Sequence, residues 1–141
     1  MTGSDPYNLQ RFIDAQRASF DQAVKELKAG RKQSHWMWYI FPQIQGLGSS
    51  AMAQKYAIAS LNEAKAYLDH PILGPRLREC TRLVNANLGP SIEDIFFHPD
   101  DLKFHSCITL FAQATADNQV FLDALKKFFG AEFESATIRA L

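Results

Sequence analysis

The chain has few cysteines, no excess of either charge and no long apolar run, and each shortage removes a class of protein. Only Cys80 and Cys107 are present. They lie far apart with no Cys-x-x-Cys spacing, so neither a disulfide scaffold nor a zinc knuckle is indicated. Each falls at an apolar position of a helical pattern, which predicts two buried free thiols in a reducing cytoplasm. Fifteen Lys and Arg balance fifteen Asp and Glu, without the basic footprint that nucleic acid demands. No apolar stretch approaches the roughly 18–20 residues that cross a bilayer. The opening "MTGSDPYNLQ" has neither the basic start nor the apolar centre of a secretion signal. The expectation is a cytoplasmic protein with no membrane and no nucleic-acid partner, its oligomeric state left open. No repeat, low-complexity tract or linker divides residues 1–141, which are expected to form one domain.

What remains is globular in character. Apolar residues make up 47% and charged residues 21% of 141 positions, enough to build a sizeable core. Helical periodicity recurs throughout, with no convincing alternating strand. Ser19 with Gln22 and Ser60 with Glu63 have capping-box spacing. His70-Pro71 ends one helix and Pro75 stands in the first turn of the next, whose buried face is read as Leu77, Cys80, Thr81, Val84 and Leu88. Asp100 or Asp101 is expected to cap the helix carrying Phe104, Cys107, Ile108 and Phe111. The fold class is all-α: a compact multihelical single domain of about seven or eight short helices.

One stretch departs from this pattern. "SHWMWYIFPQIQGLGSS", residues 34–50, concentrates aromatics and then breaks into glycine and serine. Its apolar residues leave no polar face until Pro42, so period alone does not separate strand from helix; the flanking helices favour a short buried helix from Ser34 to Phe41. Packing alone accounts for Trp36, Met37, Ile40 and Phe41. Trp38 and Tyr39, a second aromatic face beside His35, have something further to cover. The following "GLGSSA" matches a dinucleotide-binding string through Gly46, Gly48 and Ala51, but without the βαβ setting that motif needs. A narrower reading survives: the turn feeds Ser49 and Ser50 into a helix start whose free N–H groups suit an anion. Later, "FHPDDLKFHS" gathers His98, Asp100, Asp101, Lys103, His105 and Ser106. It supplies no H-E-x-x-H or Cys pair, so no metal is expected. Lys103 and Ser106 share a helix face and suit a pocket that takes an anion.

The strings "DPYNLQRFIDAQ", "ELKAGRKQSHWMWYIFPQIQGLG", "YAIASLNEAKAYLDHPILGPRL" and "LKFHSCITLF" together resemble a family of small bacterial proteins of unknown function. Some of its members carry the label "calpastatin", for which these residues offer no physical support. The resemblance spans nearly the whole chain, and its S-H-W-M-W-x-x-F-P-Q string is highly specific. It implies a compact all-helical domain and no particular activity. It also implies that Ser34, His35, Gln43, Lys103 and Ser106, polar and distant in sequence, serve more than packing. Phe97 departs from the family's pattern, which often has glycine there.

Together these readings predict a pocket for a small anionic metabolite such as a nucleotide. His35 would be the acid–base residue, since its side chain exchanges a proton near neutral pH. Ser34, Trp38, Tyr39, Gln43, Gly46, Gly48, Ser49, Lys103 and Ser106 would bind the ligand, and no cofactor is expected. Whether chemistry follows binding is left open by the sequence. The alternative is a non-enzymatic interaction module that uses the aromatic segment against another protein.

Overall fold

The computed structural model describes residues 4–141, and ten helices form among them. They are α1 (Gln10–Arg17), α2 (Phe20–Ala29), α3 (Met37–Ile40), α4 (Ala51–Lys55), α5 (Leu61–Asp69), α6 (Leu73–Asn85), α7 (Ile92–Phe96), α8 (Asp100–Gln113), α9 (Gln119–Phe129) and α10 (Ser135–Ala140). The total exceeds the expected seven or eight because α3, α4 and α7 hold only four or five residues each. A helix that short displays barely one turn, too little for a period to register.

Helix α8 runs through the centre, with Phe104, Cys107, Ile108, Leu110 and Phe111 wholly buried. It packs against α5, α7, α9 and α10, while α6 packs against α2, α5 and α9. Its first half meets an aromatic cluster: the Phe104 ring lies 5.0 Å from Phe96 and 5.1 Å from Phe41, and Trp36 reaches Phe96 edge-on. Such tilted and stacked rings fill volume without leaving voids. At the join of α5 and α6 the backbones come very close. A Cβ on Gly74 would fall 2.1 Å from the Leu68 carbonyl oxygen.

Several local expectations change. Ser19 does not cap α2; its Oγ lies 2.9 Å from the Tyr39 hydroxyl. Ser60 accepts from Glu63 N–H, but the Glu63 carboxylate accepts from Ala59 N–H rather than closing a box, and it pairs with Arg11 at 2.8 Å. The complete capping box is instead Ser91 with Asp94 on α7. Pro99 occupies the N-cap of α8, so Asp100 and Asp101 lie in its first turn, where carboxylates still favour the helix dipole. Leu88, expected in the core, is 88% exposed because α6 ends before it. Apart from helices, one parallel bridge joins Ile44 and Ile58: Ile58 N–H donates to Gln43 O, and Gln45 N–H to Ile58 O. It ties down both ends of the loop that carries the glycines and α4.

Candidate functional site

The segment from Ser34 to Phe41 is helical only over Met37–Ile40. A carboxylate from α2 explains the shortfall. Glu26, 4% exposed, accepts hydrogen bonds from Gln33 N–H, Ser34 N–H, Ser34 Oγ–H, the Trp36 indole N–H and the Gln22 amide. These donors hold the approach to α3 in a turn instead of a helix. Burial opposes ionisation of Glu26, but the donors prevail and bring its pKa down to about 2. Sequence reasoning passed over Glu26 because it reads as one more charge on an amphipathic helix. Its available signal was position, directly beside Leu27 and three residues from Ala23 on the buried face.

The same geometry distributes the predicted residues. Ser34 turns inward to Glu26. Tyr39 is buried, its hydroxyl bonded to Ser19 and donating to the His35 carbonyl, with its ring against Tyr56. His35 itself is exposed, and its side chain lines neither of the clefts described next. Trp38 is the half-buried member of the aromatic run.

Two clefts adjoin at Gln43 and Lys103, which line both. The aromatic one, walled by Met37, Trp38, Phe41, Ala53 and Tyr56, is almost filled by its own side chains and leaves about 10 Å³, room for a single water. The polar one, about 290 Å³, is walled by Leu47, Gly48, Pro99, Leu102, Ser106, Glu134 and Ala136. Thus Trp38, Gln43, Gly48, Lys103 and Ser106 are brought together from two separate parts of the chain. Gly48 is required at the join, since a Cβ there would sit 2.7 Å from the Ala53 methyl and 3.3 Å from the Gln43 amide nitrogen.

Lys103 is anchored but not neutralised. Its ammonium lies 5.5 Å from the centre of the Trp38 ring and 3.2 Å from Asp100, whose other oxygen meets Lys32 at 3.0 Å. One carboxylate divided between two ammonium groups leaves a net positive charge. Across the polar cleft stands Glu134, which sequence reasoning missed because it lies in the unpatterned connection before α10. Burial raises its pKa, yet hydrogen bonds from Thr137 Oγ–H, Thr137 N–H and Ala136 N–H outweigh this and lower it. Ser106 donates to the Leu102 carbonyl at 3.1 Å and lies 3.5 Å from Glu134. A carboxylate held below its usual range is a weak base, so this pair is not an activated nucleophile.

The remaining predicted residues fall elsewhere. Gly46 and Ser49 border a separate polar groove with Gln45 and Gln54. The start of α4 is occupied by its own cap, Ser50 Oγ accepting from Ala53 N–H. His98 is largely exposed beside Asp101, and His105 stacks on Phe129 at 3.9 Å with Nε2 against the Glu132 carbonyl. Among the described residues no three His, Cys, Asp or Glu side chains gather as metal ligands would, and no helix is long and apolar enough to cross a membrane.

A family model described as "Protein of unknown function (DUF1810)" matches residues 6–141. The crystal structure of the conserved hypothetical protein Rv1873 from Mycobacterium tuberculosis superposes with a TM-score of 0.96 at 54% sequence identity, covering 97% of this chain and 98% of that one. No curated protein matches the sequence.

Proposed function

Because the chain belongs to the DUF1810 family of proteins of unknown function, we propose its role from the site: it binds a small anionic metabolite, such as a nucleotide, in the paired cleft. The observation that carries this reading is Lys103. Its half-neutralised ammonium stands at the join of the two clefts, beside the Trp38 ring. The anion would meet Lys103 in the polar cleft, with the Trp38 ring backing the ammonium and the Gln43 amide fixing orientation from the shared wall. Small-molecule sites commonly combine an apolar wall with a few converging polar groups in this way. His35, exposed outside the clefts, has no part in binding on this reading.

The test uses the protein's own fluorophores, Trp36 and Trp38. Tryptophan emission is recorded while nucleotides, nucleosides and small organic anions are titrated in. A saturable change for an anionic ring compound, lost in Lys103→Ala and retained in His35→Ala, supports the reading. Silence across the panel from folded protein overturns it and turns attention to the interaction-module alternative.

A further inference from the structure

We infer that two copies of this chain associate through the groove between the end of α2 and α7, a face that shares no residue with the paired cleft. The groove is about 530 Å³, and its walls include Gly30, Arg31, Leu88, Pro90, Asp94 and Phe97. Two large apolar side chains stand uncovered there: Leu88 is 88% exposed and Phe97 45%. Single exposed apolar residues are ordinary on a surface, whereas two at one groove form a patch that contact would cover. Phe97 is also held at φ 65° and ψ 155°, a backbone region that only glycine enters freely. The fold thus keeps a bulky apolar side chain in a strained position and shows it to solvent.

The patch is in place before any partner arrives. The Asn87 amide donates to the Leu27 and Leu83 carbonyls, each at 3.0 Å, and so ties the loop carrying Leu88 to α2 and α6. Lys32 N–H donates to the Ile95 carbonyl at 2.7 Å, which holds α7 against the residue that follows Arg31. Walls pinned in this way lose little freedom on association.

The charges say what covers it. Arg31 and Asp94 are the ionisable residues of the groove. Among the described residues neither forms an ion pair within the chain. Arg31 lies over the Phe97 ring at 5.4 Å instead, and Asp94 accepts from Ser91 N–H. A groove with one cation and one anion fits a surface carrying the reverse arrangement, and a second copy turned by a two-fold rotation presents that arrangement. Arg31 of each copy then meets Asp94 of the other, so the contact closes at two chains. Between these pairs, Leu88 of each copy enters the other's groove against Phe97 and Pro90. A partner of uniform charge would satisfy one wall and be repelled by the other. A single small patch suits a weak dimer, with a Kd on the order of tens of micromolar.

The experiment is sedimentation equilibrium of the full chain from about 1 μM to about 1 mM, a range that brackets this Kd. Wild-type protein is expected to pass from monomer to dimer, with no larger species. Leu88→Glu, at a side chain that the monomer leaves in water, is expected to weaken the dimer about tenfold or more. Arg31→Glu alone and Asp94→Lys alone each set like charges against one another at both pairs, and each is expected to weaken it about tenfold. Mixed in equal amounts, these two variants are expected to recover a dimer of near wild-type affinity. The two reversed side chains then face each other, and so do the two native ones. A wild type that stays monomeric across the range overturns the dimer and leaves the groove to a different partner. A dimer unmoved by Leu88→Glu, or folded charge variants that associate no better mixed than alone, overturns it as well. Asp94→Lys removes the capping box of α7, so its melting curve is checked first; should it not fold, the wild-type series and Leu88→Glu decide the matter by themselves.

Discussion

At the residue scale, the decisive group is a glutamate in the core. Glu26 is ionised in the folded protein with a pKa of about 2, against 4.5 for the free side chain. A depressed folded-state pKa means that the unfolded chain binds the proton first. The stabilisation is thus complete above about pH 4.5 and is lost as pH falls through about 2. Its size is on the order of 3 kcal/mol. Glu26→Gln is expected to cost several kcal/mol near neutral pH and to flatten the acid limb of the stability curve, both measurable by urea unfolding across pH. An acid limb as steep as wild type would show that Glu26 does not carry it. The thiols present the opposite case. Burial pushes Cys80 up to about 12, with Glu79 adding to the rise and Arg76 opposing it, and burial pushes Cys107 well above its usual value. Neither thiol should react with a soluble disulfide reagent at mildly alkaline pH until the protein unfolds. Rapid labelling of the native state would contradict that burial.

At the element scale, the join of α5 and α6 gives a sharp forecast. In an ordinary helix interior, glycine to alanine stabilises by about 1 kcal/mol. At Gly74 the added methyl meets the Leu68 carbonyl at 2.1 Å. Gly74→Ala should therefore destabilise by about 2–3 kcal/mol, with the helices forced apart. A melting temperature equal to or above wild type would disprove the close approach. The longer helices were legible in the sequence because each repeats its apolar face over several turns, as α6 does through Leu77, Cys80, Thr81 and Val84. The segment before α3 was not. Its turn is imposed by Glu26, contributed from the preceding helix, and no local pattern in Ser34–Trp36 records that. Ser19 makes the same point, since it has the right spacing for a cap and spends its hydroxyl on Tyr39.

At the scale of the whole molecule, the buried apolar residues form one continuous cluster from Leu9 to Leu125. Heat or urea should accordingly give a single transition, coincident by circular dichroism and tryptophan emission. Two separated transitions would mean that the helices do not share one cooperative core. The site was only partly legible at this scale. Trp38, Gln43, Gly48, Lys103 and Ser106 could be chosen from their types and from the family resemblance. Glu134 could not, because its importance arises only when the connection before α10 is laid across α8. The two indoles differ in a way that adds a time axis. The Trp36 N–H, bonded to Glu26 with its residue 1% exposed, is sealed from solvent, whereas Trp38 stands half-buried at the cleft. Placed in heavy water, the Trp36 indole proton exchanges only as fast as the core opens, so its resonance is a clock for the life of the native state.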